Sequence, residues 1–115
     1  MNILITGSNG FVGSNLMREL EKDGHTVCGI DISEHCEGEK HPETQLGDIR
    51  NLQDLHRISS VFRQKHNSQL ELIIHCAAAK NDFGISRREY YSHNKYGTQT
   101  LLNFATGQGI KKLIY

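Results

Sequence analysis

Gly7, Gly10 and Gly13 are the first residues of this sequence whose spacing could do chemistry. They follow the apolar run Met1-Asn2-Ile3-Leu4-Ile5-Thr6 and lead into a stretch where Val12, Leu16 and Leu20 recur at helical spacing, with Met17 beside them. That order predicts a strand, a tight turn and an amphipathic helix. Gly7 lets the chain turn sharply at the strand's end, Gly10 lets bare backbone approach a ligand, and Gly13 lets the helix pack closely on the sheet. The free N–H groups and positive end of that helix favour a pyrophosphate. About 20 residues further on, the second apolar run, Thr26-Val27-Cys28-Gly29-Ile30, ends at Asp31, the placement expected of the acidic partner of such a turn. A carboxylate there can accept both hydroxyls of an adenosine ribose and would repel a 2′-phosphate. The plainer reading of Asp31, a polar residue at a strand end, is weakened by the turn ahead of it.

Other reactive residues carry less. His35, Cys36 and His41 lie within the polar stretch Ile32 to Pro42, but no second ligand pair at zinc spacing accompanies them. A loop at the rim of an adenosine pocket is the better expectation, and no metal is expected. Cys28 and Cys76 sit in apolar runs, where cysteine usually acts as a small buried hydrophobe. With Cys36 they make three cysteines without CxxC spacing, as in a reduced, cytoplasmic protein. His75 is read as a histidine satisfied by backbone within a sheet rather than as a catalyst.

The remaining elements must position these groups. Thr44-Gln45-Leu46-Gly47-Asp48-Ile49 reads as a short third strand ending at Asp48, and Asn51 can cap a helix with Leu52, Leu55, Ile58 and Phe62 on one face. Leu70 to Ala79 is the most hydrophobic stretch, a strand buried on both faces, with small residues at its carboxyl end that let a ligand lie against the backbone. Asn81 to Arg88 reads as a polar loop, and a long helix is expected from about Glu89 to Thr106, stopped by Gly107 and Gly109. Lys111-Lys112-Leu113-Ile114-Tyr115 reads as the opening of a fifth strand. Alternating strands and helices predict an α/β domain over 1–115, a Rossmann-type doubly wound parallel sheet of order 3-2-1-4-5, truncated at the fifth strand. The net charge is zero, with 13 basic and 13 acidic residues, so no nucleic-acid partner is indicated; neither a signal pattern nor a run of transmembrane length is present, so no membrane is expected.

Taken in order, Thr6-Gly7-Ser8-Asn9-Gly10-Phe11-Val12-Gly13, Asp31, Gly47-Asp48-Ile49-Arg50, His75-Cys76-Ala77-Ala78-Ala79 and Asn94-Lys95-Tyr96-Gly97-Thr98-Gln99-Thr100-Leu101-Leu102 resemble the N-terminal part of an extended short-chain dehydrogenase/reductase of the NAD-dependent epimerase/dehydratase family. The resemblance spans essentially the whole chain and implies NAD as cofactor. It implies that the backbone of Gly7, Gly10, Phe11 and Val12 holds the pyrophosphate, with Asn9 and Gly13 in the same cofactor-binding turn. Asp31, with Ile32 beside it, would bind the adenosine ribose and favour NAD over NADP. Asp48 and Ile49 would flank adenine, Asp48 accepting from its amino group. Ala77, Ala78, Ala79 and Lys80 would line the cofactor's centre, and Asn94 would brace the site from its helix.

The family's catalytic Ser or Thr and its Tyr-x-x-x-Lys pair follow the fifth strand, so the resemblance places them, and a substrate domain, beyond Tyr115. Tyr91-Ser92-His93-Asn94-Lys95 has the Tyr-x-x-x-Lys spacing but overlaps the Asn-x-x-Gly-Thr signature of the preceding helix, so no catalytic residue is assigned. The expectation is the NAD-binding portion, inactive alone, of an epimerase, dehydratase or reductase acting on a nucleotide-sugar. The alternative is a stand-alone NAD-binding sensor or subunit without chemistry. An end inside an apolar strand favours the fragment. A homodimer through helices that include the one starting near Glu89 is implied by analogy only.

Overall fold

The computed structural model describes residues 1–77 and 86–115, with residue 93 as backbone only. The expectations for Ala78, Ala79, Lys80 and most of the polar loop after them lie outside the described residues.

Strand β1 (Asn2–Thr6) takes the centre of a five-stranded sheet because its side chains are apolar on both faces. It pairs in parallel with β2 (Thr26–Asp31) on one side and β4 (Leu72–His75) on the other. β3 (Thr44–Leu46) adds beyond β2, and β5 (Lys112–Ile114) beyond β4, giving the order β3-β2-β1-β4-β5 with every pair parallel, as expected from the sequence. β3 ends at Leu46, so Gly47, Asp48 and Ile49 form its exit rather than its end. β4 begins at Leu72; Leu70 is buried ahead of it.

Parallel pairing requires crossovers, and right-handed crossovers place the helices by the direction in which the chain moves across the sheet. Helix α1 (Phe11–Lys22) connects β1 to β2 in one direction. Helices α2 (Leu52–His66) and α3 (Arg87–Gln108) serve the connections that run in the other, and they pack together. The core divides accordingly. Ile3, Ile5, Val27 and Leu72 join Met17 of α1, with Leu16 and Leu20 packed against them, whereas Leu4, Cys28, Ile30 and Ile73 join Leu55, Ile58, Phe62, Leu101 and Phe104 of α2 and α3. Consecutive β1 residues thus serve opposite faces, as the two-residue period of a strand requires. Val12 departs from the expected apolar face. It is 59% exposed in the first turn of α1, while Gly13, Ser14 and Met17 are buried.

Asn51 caps α2 as expected, its side chain accepting from the N–H of Gln53. Helix α3 starts earlier than the sequence suggested, because the Ser86 side chain caps it by accepting from the N–H of Glu89; Arg87 and Arg88 are therefore helical. Gly107 stays within the helix, and Gly109 alone ends it, in the left-handed conformation at φ 73°. Among the described residues no helix is long and apolar enough to cross a membrane.

Candidate functional site

The carboxyl ends of β1, β2, β3 and β4 open on one edge of the sheet, and β1 and β4 flank the point where the strand order reverses. In an open α/β sheet this is where a crevice forms. Every element that the sequence singled out exits there.

The turn after β1 is built from backbone. Gly7 takes φ 70°, which a side chain resists, and its N–H donates to the Ile30 carbonyl at 2.8 Å. A Cβ on Gly7 would lie 2.7 Å from the backbone N of Ala77, so the exit of β4 presses directly on this glycine. A Cβ on Gly13 would lie 2.1 Å from the Gly7 carbonyl oxygen. The close approach that Gly13 permits is thus of α1 to its own turn, more than of α1 to the sheet. Gly10 differs from both: its φ is an ordinary −73°, and a Cβ there would meet only the Gly7 oxygen, at 3.3 Å. Two glycines are needed by the fold, and the third leaves bare backbone at the start of α1.

Phe11 and Val12, the first helical residues, are exposed, and α1 has no side-chain N-cap. The Phe11 N–H donates instead to a carboxylate oxygen of Glu37, at 3.1 Å. Asn9 is buried. Its N–H donates to Asp31 Oδ2 at 2.9 Å and its Nδ2 to the Ser33 carbonyl at 2.6 Å, while its Oδ1 has no partner among the described residues. The Asp31 carboxylate also accepts from the Ser33 N–H through Oδ1, at 2.9 Å. Asp31 is therefore tied to the turn, with one N–H on each oxygen and acceptor capacity left on both. Ile32 follows it as an exposed residue.

At the exit of β3, the Asp48 carboxylate is engaged by Arg50, whose Nη2 lies 2.8 Å from Oδ2 and whose Nε lies 3.1 Å from both oxygens. Arg50 also reaches Ser92 of α3, at 3.4 Å, and its hydrogen bond to Asp48 holds its guanidinium above the usual arginine range. Ile49 packs against the core beneath α3, where a Cβ on Gly97 would come within 2.8 Å of its Cδ1. Asn94, half-buried, lies one turn before Thr98 on the same helix.

His75 contradicts the expectation of backbone satisfaction. Its Nδ1 lies 2.7 Å from the Thr6 hydroxyl and its Nε2 3.2 Å from the Thr98 hydroxyl. Thr6 in turn accepts from the Ala77 N–H at 3.1 Å. Burial lowers the His75 pKa, which favours the neutral ring. Thr6 and Thr98 carried no mark as site residues in the sequence. Their only signal was position, one ending β1 beside His75 and the other inside the Asn-x-x-Gly-Thr helix.

His35, Cys36 and His41 do not converge. His41 is buried with Nε2 2.9 Å from Glu21, and among the described residues no group of three or more His, Cys, Asp or Glu is placed to hold a metal ion. Cys28 is buried, and desolvation pushes its thiol up to about 12; Cys36 and Cys76 are half-buried free thiols. Tyr91 and Lys95 are both exposed on α3, Tyr91 by 65%.

A parallel sheet in this order, with a glycine turn after its first strand and a carboxylate after its second, defines a Rossmann-type domain. The chain belongs to the NAD dependent epimerase/dehydratase family, whose model matches residues 3–115. It is 28% identical over 128 residues to a UDP-glucose 4-epimerase of Klebsiella pneumoniae, a match covering 100% of this chain and 87% of that one. Among solved structures, UDP-glucose 4-epimerase from Thermotoga maritima with UDP-glucose is 28% identical with a TM-score of 0.77, covering 98% of this chain and 36% of that one. The Bordetella bronchiseptica enzyme WbmG in complex with NAD is 26% identical with a TM-score of 0.78, covering 98% and 36%. The chain spans about a third of the length of most curated relatives that it matches.

Proposed function

We propose that these residues form the NAD-binding portion of an epimerase, dehydratase or reductase that acts on a nucleotide-sugar. The observation that carries this reading is the contrast among the three glycines: Gly7 and Gly13 are closed in by backbone, whereas a Cβ on Gly10 would meet only the Gly7 oxygen, at 3.3 Å, beside the start of α1, which has no side-chain cap from its own N-cap residue. Bare backbone, first-turn N–H groups and a positive helix end suit a pyrophosphate. Asn9 Oδ1, without a partner among the described residues, leaves a buried acceptor in the same turn that a ligand hydroxyl, not a phosphate oxygen, could satisfy.

In this reading Gly7, Gly10, Phe11 and Val12 hold the pyrophosphate by backbone, with Asn9 and Gly13 shaping the turn. Asp31 accepts from the adenosine ribose with the lone pairs left over from Asn9 and Ser33, and Ile32 covers it. Asp48, oriented by Arg50, and Ile49 flank adenine. Ala77, held by Thr6, continues with Ala78, Ala79 and Lys80 along the cofactor's centre, and Asn94 braces the site from α3. When bound, NAD supplies a hydride acceptor. The residues assigned here bind and orient it, and none is assigned a proton-transfer step. The nucleotide-sugar reading is supported by the UDP-glucose 4-epimerase relatives.

Calorimetric titration with NAD tests the reading. Saturable binding that Gly10→Val removes without unfolding the chain is expected. Absence of binding by the folded parent chain would refute it.

A further inference from the structure

Glu37 comes from the loop after β2, yet its carboxylate accepts from the N–H of Phe11, the first helical residue of α1. A docked segment makes this contact, not a lone side chain. The Glu37 N–H donates to the Asn9 carbonyl at 2.9 Å. Gly38 lies so close to α1 that a Cβ on it would come 2.9 Å from the Ser14 hydroxyl oxygen. Glu39 reaches Arg18, one turn further along, at 3.4 Å. Residues 37–39 thus run along the first two turns of α1, from Phe11 to Arg18.

The other two long helices carry their own anion or cap: Asn51 and Asp54 for α2, Ser86 and Glu89 for α3. α1 has no side-chain cap and no acid in its first turn, so the negative charge on its N–H groups is delivered by Glu37. A carboxylate at a helix's positive end is stabilised by the aligned dipoles and by a charge-assisted hydrogen bond. A pyrophosphate seated on the same turn would require the same N–H.

We propose that Glu37–Glu39 is a self-inhibitory strap, in which the Glu37 carboxylate occupies the Phe11 N–H of the cofactor-free chain and must be displaced by the pyrophosphate of a dinucleotide. This rests on the reading of the α1 start as the pyrophosphate seat. On displacement the carboxylate leaves the Phe11 N–H, which changes one anion for another. The Asn9–Asp31 contact does not involve the Glu37 carboxylate and persists, so the seat stays formed in both states. The strap lowers affinity without deforming the site.

The test is a fluorescence titration with NADH of the parent chain, Glu37→Gln and Glu37→Ala, accompanied by the Phe11 amide resonance. Glu37→Gln keeps an oxygen that can accept from Phe11 but loses the charge, and Glu37→Ala loses both. Glu37→Ala should bind NADH about two- to fivefold tighter than the parent, the size of one charge-to-helix-end contact. Glu37→Gln should fall between, and the gain should shrink in high salt. Equal affinity in parent and Glu37→Ala would overturn the strap. Should no chain bind NADH, the NAD reading fails, and inorganic pyrophosphate then decides the strap separately. A Phe11 amide that responds to pyrophosphate at about two- to fivefold lower concentration in Glu37→Ala than in the parent supports it; an equal response, or none in either, refutes it.

Discussion

The Thr6 hydroxyl lies 2.7 Å from Nδ1 of His75 while it accepts from the Ala77 N–H at 3.1 Å. One hydroxyl therefore joins the ends of β1 and β4 on either side of the reversal in strand order. Either neutral tautomer satisfies the arrangement: Thr6 O–H donates to Nδ1 while Nε2–H donates to Thr98, or Nδ1–H donates to Thr6 while Thr98 O–H donates to Nε2. Thr6→Val keeps the volume but strands both partners. Leaving a buried polar group unpaired costs about 1–3 kcal/mol, so urea unfolding should show a loss in that range, with weaker NAD binding because Ala77 loses its anchor.

His75 gives the stability a pH dependence. Burial lowers its folded pKa below the ordinary 6.5. Above that value both states hold the ring neutral and the contribution of His75 is fully present. As pH falls through 6.5 toward the lower folded value, the unfolded chain takes up the proton first, and stability is lost. Urea midpoints of the parent and His75→Gln should therefore converge on acidification across this window. A constant difference would show that the ring titrates alike in both states.

Much of this architecture was legible in the sequence because the signals were local. The order of strands followed from alternation and crossover handedness, and Asn51 announced its helix by residue type. The limits of α3 were not legible from Gly107, since a glycine near a helix end does not say which residue takes the left-handed turn; Gly109 does. Val12 was misplaced because helical spacing fits it to the apolar face, while the residues that the first turns of α1 bury are Gly13 and Ser14. The His75 network and the Glu37 contact were invisible for a different reason. Both join residues far apart in sequence through hydroxyl or carboxylate groups that have no periodicity to read.

Asp31 should decide the choice of cofactor. Its carboxylate holds the turn through Asn9 and would face a 2′-phosphate as a like charge. NAD should bind tighter than NADP to the parent chain. Asp31→Asn should narrow the ratio while weakening NAD, because an amide NH2 would oppose one of the two N–H groups now accepted. Calorimetry with both cofactors checks this, and equal or tighter NADP binding by the parent would contradict the assignment.

The Asp48–Arg50 pair is partly exposed, with side chains 27% and 32% accessible, and its effect on stability should be small. Arg50→Ala should cost no more than about 1 kcal/mol, less at high salt. Its larger effect is expected on cofactor affinity, since Asp48 loses the guanidinium on both its oxygens and keeps from residue 50 only the backbone N–H on Oδ1, at 2.9 Å. A large loss of stability with unchanged affinity would assign the pair to the fold alone.

Gly10 and Gly13 separate the fold from the seat most directly. Gly13→Ala places a Cβ against the Gly7 carbonyl and should unfold or severely destabilise the chain, whereas Gly10→Val should leave the fold largely in place. The decisive measurement is the thermal melting of the parent and Gly10→Val with and without NAD. A ligand of the folded state raises the melting temperature by mass action. The expected result is a parent whose melting temperature rises with NAD and a folded Gly10→Val whose melting temperature does not. A rise of equal size in both, or none in the parent, would contradict the assignment of the glycine turn as the NAD pyrophosphate seat.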